Sequence, residues 1–162
     1  MSVVSFEPTA EQASSESARP LLVVLATDGS HHSVRAGRVI AKLLSPGSAE
    51  VRLVTVLEYS IYPYGPSGDP LPDAEQRLKE VHAQKRQATD EIRRVIGETQ
   101  PDVAVYHRFG NPADELLELI EEWDPDLVVV GRRGMSHVKG LLMGSVSTKL
   151  LHHSKAPVLV VS

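Results

Sequence analysis

Cysteine is absent from this chain of 162 residues, which excludes disulfides, thiol catalysis and zinc–thiolate sites. No apolar run approaches the roughly 20 residues that a helix needs to cross a bilayer, so no membrane partner is expected. Basic excess is missing as well. Lys and Arg number 17 against 21 Asp and Glu, a formal charge of −4, whereas a nucleic-acid binder needs a basic face. The start carries no positively charged segment followed by an apolar stretch; no secretory signal is read, and a cytoplasmic location is expected. Neither of the two common nucleotide fingerprints occurs, the P-loop G-x-x-x-x-G-K-[ST] or a G-x-G-x-x-G directly after a strand. No G-x-S-x-G nucleophile elbow is found either, and the acidic residues of 114–126 read as a solvated helix face. No catalytic centre is expected.

What remains is ordinary globular composition, 41% apolar and 23% charged, in a length that can bury one full core. Residues 1–19, rich in Ser, Glu and Ala, read as a flexible tail, with one domain over 20–162. The run Leu21–Ala26 is continuously apolar, as suits a strand covered on both faces. Asp28-Gly29-Ser30 then forms a turn with a helix cap, Asp28 itself being one candidate for that cap. Val34, Gly37, Ile40, Ala41 and Leu44 recur at helical spacing until Pro46-Gly47 stops the helix. Val51–Leu57 is a second strand, and Tyr59–Pro72 a loop or flap. Asp73–Ile96 is a long amphipathic helix with Ala74, Leu78, Val81, Ala88, Ile92 and Val95 on one side. A third strand over Val103–Phe109 leads to Asn111-Pro112, a cap and first-turn proline, with Asp114 and Glu115 well placed for the helix dipole. That helix should bury Leu116, Leu119, Ile120 and Trp123. Strands over Leu127–Val130 and Pro157–Val161 bracket a last helix starting near Gly144. Such βα alternation builds a parallel α/β sheet with helices on both faces. Ligands of such sheets bind beyond the carboxyl ends of the strands, where strand order reverses.

The stretch Val128–Leu151 is the one built around a ligand. A buried-looking strand ends at Gly131, Gly134 follows, and Gly144 opens a helix whose cap would be Ser145 or Ser147. Glycines allow close backbone approach, and the free N–H groups of a helix start attract negative charge, so a phosphate site is one reading and a ligand-free structural loop the other. Arg132 and Arg133 could balance phosphate, although surface solvation is the commoner fate of an Arg pair. His31-His32 and His152-His153 read as exposed or capping residues rather than metal ligands, because adjacent helical residues point apart.

The spacing G-x2-G-x9-G-[ST], in Gly131-Arg-Arg-Gly134 and Gly144-Ser145-Val146-Ser147, resembles the ATP-binding signature of the universal stress protein family. Ala26-Thr27-Asp28-Gly29-Ser30 and Ala156-Pro157-Val158-Leu159-Val160-Val161 extend the resemblance over nearly everything after residue 20. It implies a doubly wound, Rossmann-like five-stranded parallel sheet in the order 3-2-1-4-5, related to the adenine nucleotide alpha hydrolases. Asp28 and Gly131 would then meet in one crevice. It further implies that Ala26, Thr27 and Asp28 contact the nucleotide, with Asp28 helping to hold a divalent ion such as Mg²⁺. Val56 would meet adenine through backbone groups, and Gly131, Arg133 and Gly134 would face the phosphates. So would the amides of Gly144, Ser145, Val146 and Ser147 and the hydroxyls of Ser145 and Ser147. Replacing Gly131 or Gly144 by a bulky residue would abolish binding and leave the fold cooperative. Thr55 stands where the family often places a histidine. The last strand, Val158, Leu159, Val160 and Val161, would pair with its copy in a homodimer. The function implied is an ATP-responsive regulatory module in stress tolerance. The alternatives are a dimeric interaction protein that binds no nucleotide, a slow ATP hydrolase, or a receiver domain. The last wants acidic neighbours for Asp28 and a lysine after the final strand, and has neither.

Overall fold

The apolar run at the start behaves as a strand covered on both faces must. In the computed structural model, which describes residues 19–58, 74–100, 102–135 and 142–162, with the side chains of 74, 75 and 77 left aside, it forms β1 (Leu21–Thr27). Alternate residues of β1 enter separate halves of the core. Val23 and Leu25 pack with Ala36 and Ile40 of α1 (His31–Leu43) and with Ile92 and Ile96 of α2 (Ala74–Gly97). Val24 and Ala26 pack the other way, against Leu116, Leu119 and Ile120 of α3 (Pro112–Trp123) and Leu150 of α4 (Ser145–His153). The remaining strands are β2 (Ala49–Leu57), β3 (Val103–Phe109), β4 (Leu127–Gly131) and β5 (Val158–Val161). All pairings are parallel, in the order β3-β2-β1-β4-β5. The order reverses between β1 and β4, so their carboxyl ends lie side by side at the ligand-binding edge of this architecture.

Element boundaries follow the sequence reading closely, and the differences lie in which faces are buried. The expected stripe of α2 is rotated. Lys85, Thr89, Ile92 and Ile96 are buried, whereas Val81 is exposed and Leu78, Ala88 and Val95 are half-buried. Two contacts set this rotation. Gly37 lets α1 approach so closely that a Cβ there would lie 2.6 Å from Ile92 Cγ2. The Thr89 hydroxyl meets that of Thr55, 2.7 Å away in the centre of β2. Trp123 is half-buried rather than buried, held between the Tyr106 ring and the Arg52 guanidinium, each at 4.7 Å. The expected tail (residues 1–18 of it), the loop 59–72 and the start of the long helix at Asp73 lie outside the described residues.

Candidate functional site

The turn after β1 joins two segments far apart in sequence. Ser30, not Asp28, caps α1: its Oγ accepts from the Ser33 amide at 3.3 Å, the three-residue offset that an N-cap side chain reaches. The same hydroxyl donates to the carbonyl of Arg133 at 3.0 Å. Asp28 has another task. Its Oδ1 accepts from the Ser30 amide at 3.0 Å and its Oδ2 from the Met135 amide at 2.8 Å, so the carboxylate braces its own turn against the loop after β4. Gly134 permits this, since a Cβ there would lie 2.5 Å from Asp28 Oδ2.

Gly131 serves helix packing. A Cβ at Gly131 would stand 2.8 Å from the Ser33 nitrogen and 2.9 Å from the His32 carbonyl carbon, both backbone atoms in the first turn of α1. A larger residue here would therefore press on α1, so its effect would not be confined to ligand binding. At Gly144 a Cβ would meet nothing nearer than 3.4 Å.

The start of α4 departs from expectation in useful ways. Gly144 is the N-cap, with no side-chain cap bond, so neither Ser145 nor Ser147 caps the helix. They lie inside the first turn, where a hydroxyl cannot reach forward to the orphan amides. The Gly144 N–H is committed to the Arg132 carbonyl at 2.9 Å, and so is removed from the expected phosphate cradle. The buried Ser147 hydroxyl is committed as well, donating to the carbonyls of Arg132 (2.9 Å) and Gly144 (3.1 Å). These contacts pin the loop and leave the amides of Ser145, Val146 and Ser147 with no acceptor among the described residues, at the positive end of a helix.

Those amides and the Asp28 brace border a cavity of about 600 Å³, within the range that holds a drug-sized ligand. Every sequence-predicted site residue lines it. Ala26, Thr27 and Asp28 come from the end of β1, Val56 from β2, and Gly131, Arg133 and Gly134 from β4 and its loop. Gly144, Ser145, Val146 and Ser147 complete that side. Arg132 does not line it; its carbonyl is the anchor just described. The far wall is apolar, with Val54, Ala113 and Leu116. Asn111 also borders the cavity, and its Oδ1 caps α3, accepting from Ala113 N and Asp114 N.

Sequence reading missed the lining residues Lys85, Glu58 and Lys149. Lys85 is only 4% exposed; its ammonium donates to the Val56 carbonyl at 3.1 Å and stands 3.7 Å from Glu58 Oε2. Thus the Val56 carbonyl, expected to face adenine, already has a donor. Lys149 is paired with Asp114 of α3. Lysines on amphipathic helices read as solvated; the one signal for Lys85 is its i, i+4, i+7 spacing with Thr89 and Ile92. Among the described residues no group of three or more His, Cys, Asp or Glu gathers as metal ligands.

The family model of the universal stress proteins matches residues 22–162. A universal stress protein of Thermus aquaticus is 30% identical over 141 residues, spanning 86% of this chain and 96% of that one. A solved universal stress protein in complex with cAMP superposes with a TM-score of 0.59 at 30% identity, covering 88% of this chain and 96% of its own. A family protein of Arabidopsis thaliana with AMP bound gives 0.60 at 21% identity, covering 88% and 91%, a likeness of fold.

Proposed function

This chain belongs to the universal stress protein family, and we propose that its cavity binds ATP, making it a nucleotide-responsive regulatory module in stress tolerance. One observation carries the reading: the amides of Ser145, Val146 and Ser147, with no acceptor among the described residues, border a cavity of nucleotide size, and Asp28 braces the loop beside them. Backbone N–H groups at a helix start suit phosphate oxygens, and Arg133, which also lines the cavity, adds positive charge. Ala26, Thr27, Gly131 and Gly134 line the cavity beside them. The apolar wall of Val54, Val56 and Leu116 suits a base. The relative seen with cAMP supports an adenine nucleotide as the class. Mg²⁺ would arrive with the phosphates, which together with a single carboxylate commonly complete its shell.

Hydrolysis would be slow. The Asp28 carboxylate is engaged by two backbone amides, and Glu58, the other carboxylate on the cavity wall, is beside Lys85. Among the described residues the short edge strand β5 has only β4 beside it, and pairing of Val158–Val161 with a second copy would cover the other side as a cytoplasmic homodimer. Sedimentation of the full chain should give the dimer mass; a monomer at all concentrations would remove that element. Mass spectrometry of small molecules released from purified protein should find an adenine nucleotide, or ATP should bind by calorimetry after its removal. Failure of both would leave the family's interaction-protein reading.

A further inference from the structure

The cavity has two chemically different ends. The glycine loop and the start of α4 follow β4, whereas Val56, Glu58 and Lys85 sit at the end of β2, with β1 between. Two strand spacings separate these ends, about 10 Å, a distance over which a nucleotide can place phosphate at one end and base at the other. At the base end, the carbonyl that could accept from an exocyclic amine already accepts from the Lys85 ammonium, a competing donor. One ammonium proton goes to Val56 O. At 3.7 Å, Glu58 is an ion pair rather than a hydrogen bond, so among the described residues the ammonium has protons left for an acceptor in the cavity. Beside that donor stands a carboxylate, half-exposed and able only to accept. Burying an ammonium this deeply is expensive unless its protons find partners, so a ligand atom there would be strongly favoured.

We infer that Lys85 and Glu58, rather than the backbone of Val56, read the edge of the base, and that the site therefore accepts 6-oxo as well as 6-amino purine nucleotides. The inference rests on the nucleotide reading above. A backbone carbonyl is fixed as an acceptor and can serve one kind of edge only. The Lys–Glu pair can serve both. Against adenine, the carboxylate accepts from the 6-amino group and the ammonium donates to a ring nitrogen. Against hypoxanthine, the ammonium donates to the 6-oxygen and the carboxylate accepts from the ring N–H. Long side chains can exchange these partners without moving the strand.

The test is calorimetric competition of ATP against ITP, on the full chain and on Lys85→Met. The wild-type affinities should lie within about tenfold of each other, because neither edge leaves a polar group unpaired. Lys85→Met frees the Val56 carbonyl to face the 6-position and should raise the preference for ATP about tenfold or more. A merely structural lysine would weaken both nucleotides and leave their ratio unchanged, which overturns the inference. Rejection of ITP by the wild type by more than about a hundredfold overturns it too, and that comparison needs no substitution, so it decides even if the methionine variant fails to fold. If ATP binds and the ratio is wrong, this inference fails alone; if neither nucleotide binds, the nucleotide reading falls with it.

Discussion

Alanine at Gly131 would place a methyl carbon 2.8 Å from the Ser33 nitrogen and 2.9 Å from the carbonyl carbon of His32. Both are backbone atoms in the first turn of α1, whose Ser33 is 2% exposed and whose cap Ser30 is hydrogen-bonded on both sides. Neither can give way without moving the helix off the sheet. Overpacking of this kind costs about 1–3 kcal/mol. For a chain of this size each kcal/mol lowers the melting temperature by about 2–4 °C, so a loss of about 2–12 °C is expected. Gly144→Ala is the control from the same signature. Its Cβ would come no nearer than 3.4 Å to the Arg132 carbonyl and Arg133 Cα and 3.6 Å to the Gly134 nitrogen, and its φ of −81° is open to any residue. Alanine is a poorer cap than glycine, but it also restricts the unfolded chain, and the two effects should offset to within about 0.5 kcal/mol. Thermal and urea melts followed by far-UV circular dichroism separate the variants. A Gly131→Ala protein as stable as wild type, or a Gly144→Ala protein that loses several kcal/mol, would refute the division of roles between the two glycines.

Asn111→Ala removes the acceptor for the Ala113 and Asp114 amides and should cost about 0.5–2 kcal/mol, read as a lower urea midpoint at unchanged slope. Ser147→Ala deletes the donor to the Arg132 and Gly144 carbonyls; stability should fall by about 0.5–1.5 kcal/mol, and ATP affinity should weaken as the loop loosens. Unchanged affinity by calorimetry would show that the hydroxyl does not hold the site. Thr89→Val leaves the Thr55 hydroxyl buried without its partner and should cost about 1–3 kcal/mol. Adding Thr55→Val should recover part of that loss, and strict additivity in the double-mutant cycle would contradict a direct pair.

The sequence pattern read strand and helix positions well where burial is two-sided or strictly periodic. Leu21–Ala26, apolar without a break, suited a covered strand, and Asn111-Pro112 announced the start of α3 through side-chain chemistry alone. The meeting of Asp28 with the glycine loop was expected from the family resemblance, which implies the strand order that brings the ends of β1 and β4 together. What escaped were details that depend on the neighbour across a contact. Lys85 drew no notice because the carbonyl that receives its ammonium lies 29 residues away on another element. Gly131 and Gly134 looked alike as ligand-facing glycines, yet one makes room for a helix and the other for a carboxylate. Ser147 looked like a cap or a ligand contact, and only the path of the Arg132 carbonyl reveals it as an anchor.

The most direct test of the central claim is titration of nucleotide-free protein with ATP in a calorimeter, with melting followed in parallel. Saturable binding at one site per chain is expected, with stabilisation of about 2.7 kcal/mol at a hundredfold excess over Kd, a rise of about 5–11 °C in melting temperature. Absence of heat at millimolar ATP together with an unmoved melting curve would contradict the account.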